Sequence, residues 1–469
     1  MKKLNFEAKS ILNEERHSGG LFVKMKPYFG LLLFVLGIAA SGALASDQVP
    51  APPQNHPIAL IGGDIHTVSG DVISNGTILF DKGRIVGIGA QIALPDGTER
   101  IDVSGLHVYP GLIDANTTIG LTEISAVRAT RDFAEVGQIK PNVRTEVGWN
   151  PDSEILPVTR ANGITVAQSV PLGGLISGKS GLMMLDGWTW ESMTLKAPDG
   201  LHIWWPRMRI IVSPFMRQKP KEQEKARDEA IAKIRKIFAE AKAYLKAKAA
   251  EKNPSVPKHE SDLRLEAMRP VLEKQIPVYV HADDILQIEA AVDWARETGV
   301  RMVLVGGYDA PRVSNLLKNN NIPVIIGGIY RLPMRRWEDY ETPFTVPVRL
   351  FKAGVKFCIG SSGGPFNAAH ERNLPYNAGA AAAYGLPKTE ALRAVTLYPA
   401  QIMGVEDRIG SLEKGKDATL IVTTGDPLEI STQVKMEFIQ GRKVDLSSRH
   451  TQLYEKYLKK YRQMHLWNE

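Results

Sequence analysis

The feature that most constrains this chain is a series of short, wholly apolar runs set between amphipathic segments. "NGITVAQSV", "IPVYVHAD", "VRMVLVGG", "IPVIIGG" and "VKFCIG" are rich in Val and Ile and do not alternate with polar residues. A strand with one wet face alternates, so these runs read as strands covered on both faces. Between them, "DDILQIEAAVDWARETG" and "APRVSNLLKNN" repeat apolar residues at helical spacing. Strand–helix alternation kept up over roughly 290 residues predicts an α/β fold, a TIM-like (β/α)8 barrel with parallel strands. It is placed at 111–405. At 469 residues and 43% hydrophobic, the chain can bury such a barrel and carry a second module.

The flanks differ. From Ile58 to Val108 the runs are β-rich and broken by Gly, Asp and Asn-Gly, and a matching set appears in "GSLEKGKDATLIVTTGDP" and "VKMEFIQGRKV". Residues 57–110 and 406–446 are therefore expected to pair as two parts of one small β-sandwich. A lysine- and alanine-rich insertion at about 217–253 carries Ile231, Ile234, Phe238, Ala241 and Leu245 on one helical stripe. It predicts a surface helix with a solvated face. Residues 447–469 predict a polar helix or tail whose aromatic residues pack back on the body.

The first 45 residues read as targeting rather than fold. Lys24 and Lys26 precede an apolar run, Phe29 to Ala40, and Ala43 and Ala45 follow in "ALAS". That order predicts export to a periplasmic or extracellular space, with cleavage after Ala45 and a linker at 46–56. The alternative is a leader retained as a membrane anchor, and Met25 rather than Met1 is an alternative start. No later segment is apolar enough to span a bilayer.

Net charge is +7, concentrated in the leader and the lysine-rich insertion, with no aromatic residues interleaved for base stacking. Nucleic acid is thus excluded as a partner. Cys358 is the single cysteine, which excludes an intrachain disulfide and a cysteine metal cage.

Several longer pieces carry a resemblance: "VYPGLIDA" at 108–115, "LDGWTWESM" at 185–193, "VHAD" at 280–283, the stretch 373–429, and "GRKVDLSSRHTQLYEKY" at 441–457. Together they resemble the amidohydrolase superfamily, in its imidazolonepropionase-like branch, from Pro57 to Tyr457. The resemblance implies hydrolysis of carbon–nitrogen bonds other than peptide bonds. It implies one or two divalent metals, usually zinc, at the C-terminal mouth of the barrel, a small-molecule ligand, and dimers or larger assemblies with itself or other amidohydrolases. Imidazole and carboxylate ligands leave a place for water, whose pKa the ion lowers, and a strand-end aspartate moves the proton.

Carried over position by position, the resemblance finds most of those ligands replaced. The His-x-His that follows the family's "PGLIDA" is Asn116, Thr117 and Thr118 here; Asn116 and Thr118 bring neither imidazole nor negative charge. His281 in "VHAD" matches a family histidine. Tyr308 stands where the next histidine belongs, and Ser362, with Ser361, where the aspartate belongs. The family's bridging lysine has no assigned counterpart. No cofactor is expected unless His281 joins Asp114, Glu123, Asp283 or Asp284 in a rearranged site for zinc or another divalent ion. Two readings follow: an exported C–N hydrolase with an impaired or rearranged site, or a catalytically inactive relative that binds a small ligand or partners an active homologue. A metal-free hydrolysis by Tyr308, Ser362 or His281 lacks a Ser–His–Asp set.

"GGLISGKS", residues 173–180, matches the phosphate-loop pattern letter for letter, yet a glycine-led, strand-like segment follows where that mechanism needs a helix. It reads instead as a loop near the mouth, where Ser177, Lys179 and Ser180 can touch a ligand. Arg372, with His370 and Asn373, follows the last barrel strand and is a second candidate ligand contact. Trp188 and Trp190 either line a pocket or pack.

Overall fold

A computed structural model describes residues 48–466. The leader, with its cleavage site, lies outside the described residues.

The barrel is built from β6 (Leu112–Thr117), β7 (Ile164–Ser169), β8 (Ile176–Met184), β9 (Thr194–Trp204), β10 (Val278–Ala282), β11 (Met302–Gly306), β12 (Val324–Gly327) and β13 (Phe357–Gly360), side by side in chain order. The apolar runs are strands covered twice, as their composition implies. In β10, Val278 and Val280 join the outer core beneath the helices, while Tyr279 joins the inner cluster with Val303, Val305, Ile325 and Cys358. Ala400, Met403 and Val405, in and just after a helix at Leu397–Met403, close that inner cluster.

The expectation of a wholly parallel barrel is corrected at one strand. β8 runs antiparallel to both β7 and β9. The links on either side, 170–175 and 185–193, are too short for the crossover that parallel neighbours require. The two ends of the strand order meet through side chains. Ser361 N donates to Asp114 Oδ1 at 2.9 Å, and Asn116 Nδ2 donates to the Ser361 carbonyl at 3.0 Å.

The flanking segments form one eight-stranded sheet. β1 (Ile58–His66), β2 (Val72–Asp81), β3 (Arg84–Gly89), β4 (Glu99–Asp102) and β5 (His107–Pro110) come from the N-terminal side. β14 (Leu420–Thr423), β15 (Val434–Ile439) and β16 (Arg442–Lys443) come from the C-terminal side. β14 pairs antiparallel with β5, and Phe80 meets Phe438 edge-on at 5.1 Å. The barrel's first strand starts directly after β5, so this sheet anchors β6.

Three helices matter below. α1 (Pro220–Ala250) is the lysine-rich insertion, and it buries Ile234, Ile237, Phe238 and Ala241. Phe238 packs edge-on against Trp294 of α2 (Ile285–Thr298) at 5.0 Å. Asp284 caps α2, and Gly299 ends it at a left-handed φ of 77°. α3 (Arg449–Gln463) has a Ser448–Thr451 capping box and buries no residue. Its aromatic residues do not pack back on the body as expected; Tyr454 is 67% exposed.

Candidate active site

Functional groups on such barrels lie at the C-terminal ends of the strands. Two histidines dominate there. His281 on β10 and His202 on β9 face the barrel interior, with His202 Nδ1 2.9 Å from His281 Nε2. One nitrogen donates and the other accepts, so the pair holds one shared N–H between two neutral rings. Each ring carries one stacked aromatic partner. Trp204 stacks on His281 at 3.8 Å and 12°, and Tyr279 stacks on His202 at 4.8 Å and 20°. Burial pushes His281 down to about 3. His202 is also held well below the usual range, first by burial and then by His281.

Sequence reading missed His202. The signal was the period-two spacing of His202 and Trp204 in "GLHIWW", which sends both to the inner face.

Below the pair lies a buried polar cluster. Tyr279 donates to Asp199 Oδ2 at 2.7 Å, and Gln168 Nε2 donates to the same oxygen at 2.6 Å. Lys196 Nζ stands 3.3 Å from Asp199 Oδ1. Gly200 makes this fit: a Cβ there would fall 2.2 Å from the Tyr279 ring.

The replaced positions are at the mouth. Asn116 and Thr118 are buried at the end of β6. Asn116 Oδ1 and Thr118 Oγ1 find no hydrogen-bond partner, and neither do Gln168 Oε1, Ser169 Oγ and His202 Nε2. Buried polar atoms are nearly always satisfied, so these five mark places for ordered water or a ligand. Gly363, at φ +69°, lets the chain pass against Asn116; a Cβ there would lie 2.5 Å from Asn116 Nδ2.

The other candidates are placed elsewhere. The Tyr308 hydroxyl donates to Glu338 at 2.8 Å and accepts from Met334 N, so it is committed to the loop after β12. Ser362 is exposed, while Ser361 Oγ donates to Asp114 Oδ2 at 2.5 Å. The loop expected at 173–180 is corrected: Ser177, Lys179 and Ser180 sit within the buried strand β8, so neither a mouth loop nor a phosphate-loop helix start is formed there, and burial and then Arg144 lower the Lys179 pKa. Arg372 turns toward α3 and donates to His450 Nδ1 at 2.7 Å. Trp188 is exposed, and Trp190 packs against the core. Ser177 Oγ accepts the Trp204 indole N–H at 3.2 Å.

The acids considered for a rearranged metal site are each engaged. Asp114 is held by Ser361 and the Asn116 N–H. Asp283 accepts the Tyr308 N–H and pairs with Arg331. Asp284 caps α2 and pairs with Arg209 and Arg335. Glu123 accepts from Asn150, and burial raises its pKa. Among the described residues, no group of three or more His, Cys, Asp or Glu is placed to hold a metal ion. Zinc takes three or four ligands with free lone pairs or charge. Two neutral histidines bonded to each other, an amide and a hydroxyl do not make that set.

Sequence reading also missed Glu371. It is buried, accepts from Thr117 Oγ1 at 2.7 Å, and its pKa is raised well above the ordinary value, by burial first and by Asp114 second. Its partner on β6 lies 254 residues away.

Two of the surface clefts are large. One of about 830 Å³ is lined by Pro277, Arg301, Met302, Pro323 and Lys356, at the N-terminal ends of the strands and so away from the mouth. The other, about 940 Å³, lies along the loop after β6 and brings Lys140, Arg144, Lys233 and Arg264 together.

The model of a family described as "Amidohydrolase family" matches residues 190–445. An amidohydrolase of Hapsidospora irregularis is 21% identical over 402 residues, which is 78% of this chain but only 39% of that protein. The chain thus spans well under half the length of that relative. An imidazolonepropionase of Mesorhizobium japonicum is 24% identical over 375 residues, 75% of this chain and 87% of that protein. The solved structure of an amidohydrolase from Thermotoga maritima MSB8 superposes with a TM-score of 0.73 at 26% identity, covering 83% of this chain and 99% of that one.

Proposed function

The chain belongs to the amidohydrolase family, in its imidazolonepropionase-like branch, and from that premise we propose that its barrel mouth binds a small uncharged ligand and is impaired for metal-dependent C–N hydrolysis. The observation that carries this reading is the His202–His281 pair. A metal-binding imidazole offers a free lone pair to the ion. Here His281 Nε2 is engaged by a second ring at 2.9 Å, and among the described residues no group of three or more His, Cys, Asp or Glu is placed to complete a donor set.

The chain's own groups suit recognition better than hydrolysis. Asn116 Oδ1 and Gln168 Oε1 can only accept, Thr118 brings a hydroxyl, and His202 Nε2 donates or accepts according to its tautomer. An amide or hydroxyl ligand with N–H or O–H groups would satisfy several of them without bringing charge into a buried site, which would be costly. The leader motif supports export of the mature chain as part of the same proposal.

Elemental analysis of purified protein, after dialysis against trace zinc, tests the metal claim. Well below one ion per chain is expected. One or more tightly held ions per chain would overturn the impaired-site reading and restore C–N hydrolysis through a rearranged site.

A further inference from the structure

We propose that α3 is a docking helix for an anionic membrane surface. Its sequence and its burial disagree in an informative way. A helix of this length is about 22 Å long, and isolated helices of such length are marginal in water. Most helices in a globular protein gain their stability by burying an apolar face. α3 buries none of its residues, and Tyr454, Tyr457 and Tyr461 are 67%, 46% and 43% exposed.

The residues nonetheless separate cleanly around the axis. At helical spacing, His450, Leu453, Tyr454, Tyr457, Leu458 and Tyr461 fall on one side; His450 accepts from Arg372 and Leu453 and Leu458 are half-buried, so the apolar exposure of this face is carried by its three tyrosines. Lys456, Lys459 and Arg462 fall on the other, and Lys460 lies at the boundary with its Nζ 5.8 Å and 6.0 Å from the rings of Tyr457 and Tyr461. Low overall hydrophobicity, a basic polar face and an apolar face of aromatic and leucine residues are the features of helices that lie in the plane of a bilayer interface. Tyrosine suits the headgroup depth, with an apolar ring and a wet hydroxyl.

Charge selects the occupant. Five basic side chains, Arg449, Lys456, Lys459, Lys460 and Arg462, stand against one acid, Glu455. Two copies of this helix face to face would set like charges against each other, whereas an anionic lipid surface attracts them. The mode is peripheral: among the described residues no helix is long and apolar enough to cross a membrane.

Co-sedimentation of the full chain with vesicles tests this. Wild type is compared with two variants: Lys456→Ala/Lys459→Ala/Lys460→Ala/Arg462→Ala, and Tyr454→Ser/Tyr457→Ser/Tyr461→Ser. All three share residues 1–47, so the difference between them isolates the helix. The expected result is extra binding of wild type to phosphatidylglycerol-containing vesicles, absent on pure phosphatidylcholine and weakened by salt. Binding should fall about fivefold per basic residue removed. Circular dichroism and melting temperature of the basic-residue variant should be unchanged, since Lys456, Lys459, Lys460 and Arg462 are all exposed. Equal binding of all three proteins would overturn the proposal. So would a dimer in light scattering that the tyrosine variant abolishes, which would assign the face to a second copy of the chain.

Discussion

Acid should destabilise this protein through its buried imidazole pair, and the size of the effect can be worked out. His281 titrates near 6.5 when unfolded and is pushed to about 3 by burial. Between those values the unfolded chain binds a proton that the folded chain refuses. Stability from this group is therefore fully present above pH 6.5 and is lost as pH falls toward 3. At pH 5 the loss from His281 alone is about 2 kcal/mol, taken from the two values and the linkage relation. His202 is shifted the same way and adds to it. Buried acids with raised pKa, Glu371, Glu437 and Asp199, act in the opposite sense. The clean quantity is therefore a difference between chains that share those acids. His281→Gln keeps a hydrogen-bonding group beside His202 and removes the titration. Guanidinium unfolding, followed by tryptophan fluorescence at pH 7.5 and pH 5, should show wild type losing about 2 kcal/mol more than His281→Gln. Parallel losses, equal within about 0.5 kcal/mol, would mean that His281 titrates normally and is neither buried nor paired as described.

Gly200→Ala should destabilise by about 1–3 kcal/mol, because the new methyl would strike the Tyr279 ring that holds Asp199; thermal melting measures this. Glu371→Gln, which mimics the protonated acid, should match wild type within about 1 kcal/mol below pH 4.5 and be the more stable chain at neutral pH, whereas Glu371→Ala should cost about 2–3 kcal/mol below pH 4.5 through the orphaned Thr117 hydroxyl and the cavity. The folded pKa of Glu371 is raised, so wild type should lose stability as pH rises above 4.5, and that slope should be missing from Glu371→Gln unfolding curves. Arg335→Ala should cost about 3 kcal/mol and speed hydrogen exchange in the mouth loops, since Arg335 joins Asp284, Asp309 and Glu338.

The barrel was legible where strands are buried on both faces, because such strands have a composition of their own. β8 was not, because its direction depends on the length of two short links rather than on its residues. The motif placed Asn116 and Thr118 at the end of β6, yet it could not show what faces them. His202 and His281 lie 79 residues apart, and Thr117 and Glu371 254 apart; local pattern has no access to such pairs. Arg372 was singled out by its position after the last strand. The fold turns it toward α3 and sends its neighbour Glu371 into the seam instead.

A mouth that had merely lost its ion would leave acids repelling one another, with a fold that needs metal to stay together. The described mouth is organised otherwise. Asp309, Asp284 and Glu338 share Arg335; Asp283 takes Arg331 and a backbone N–H; Asp114 is wrapped by Ser361 and set against a carboxyl that burial favours in its neutral form. Asp283, Asp284, Asp309 and Glu338 are therefore met by arginines of the chain itself, and Asp114 by N–H and O–H donors. On the reading proposed above these loops need no cation, and a chelator should leave the melting temperature where it was.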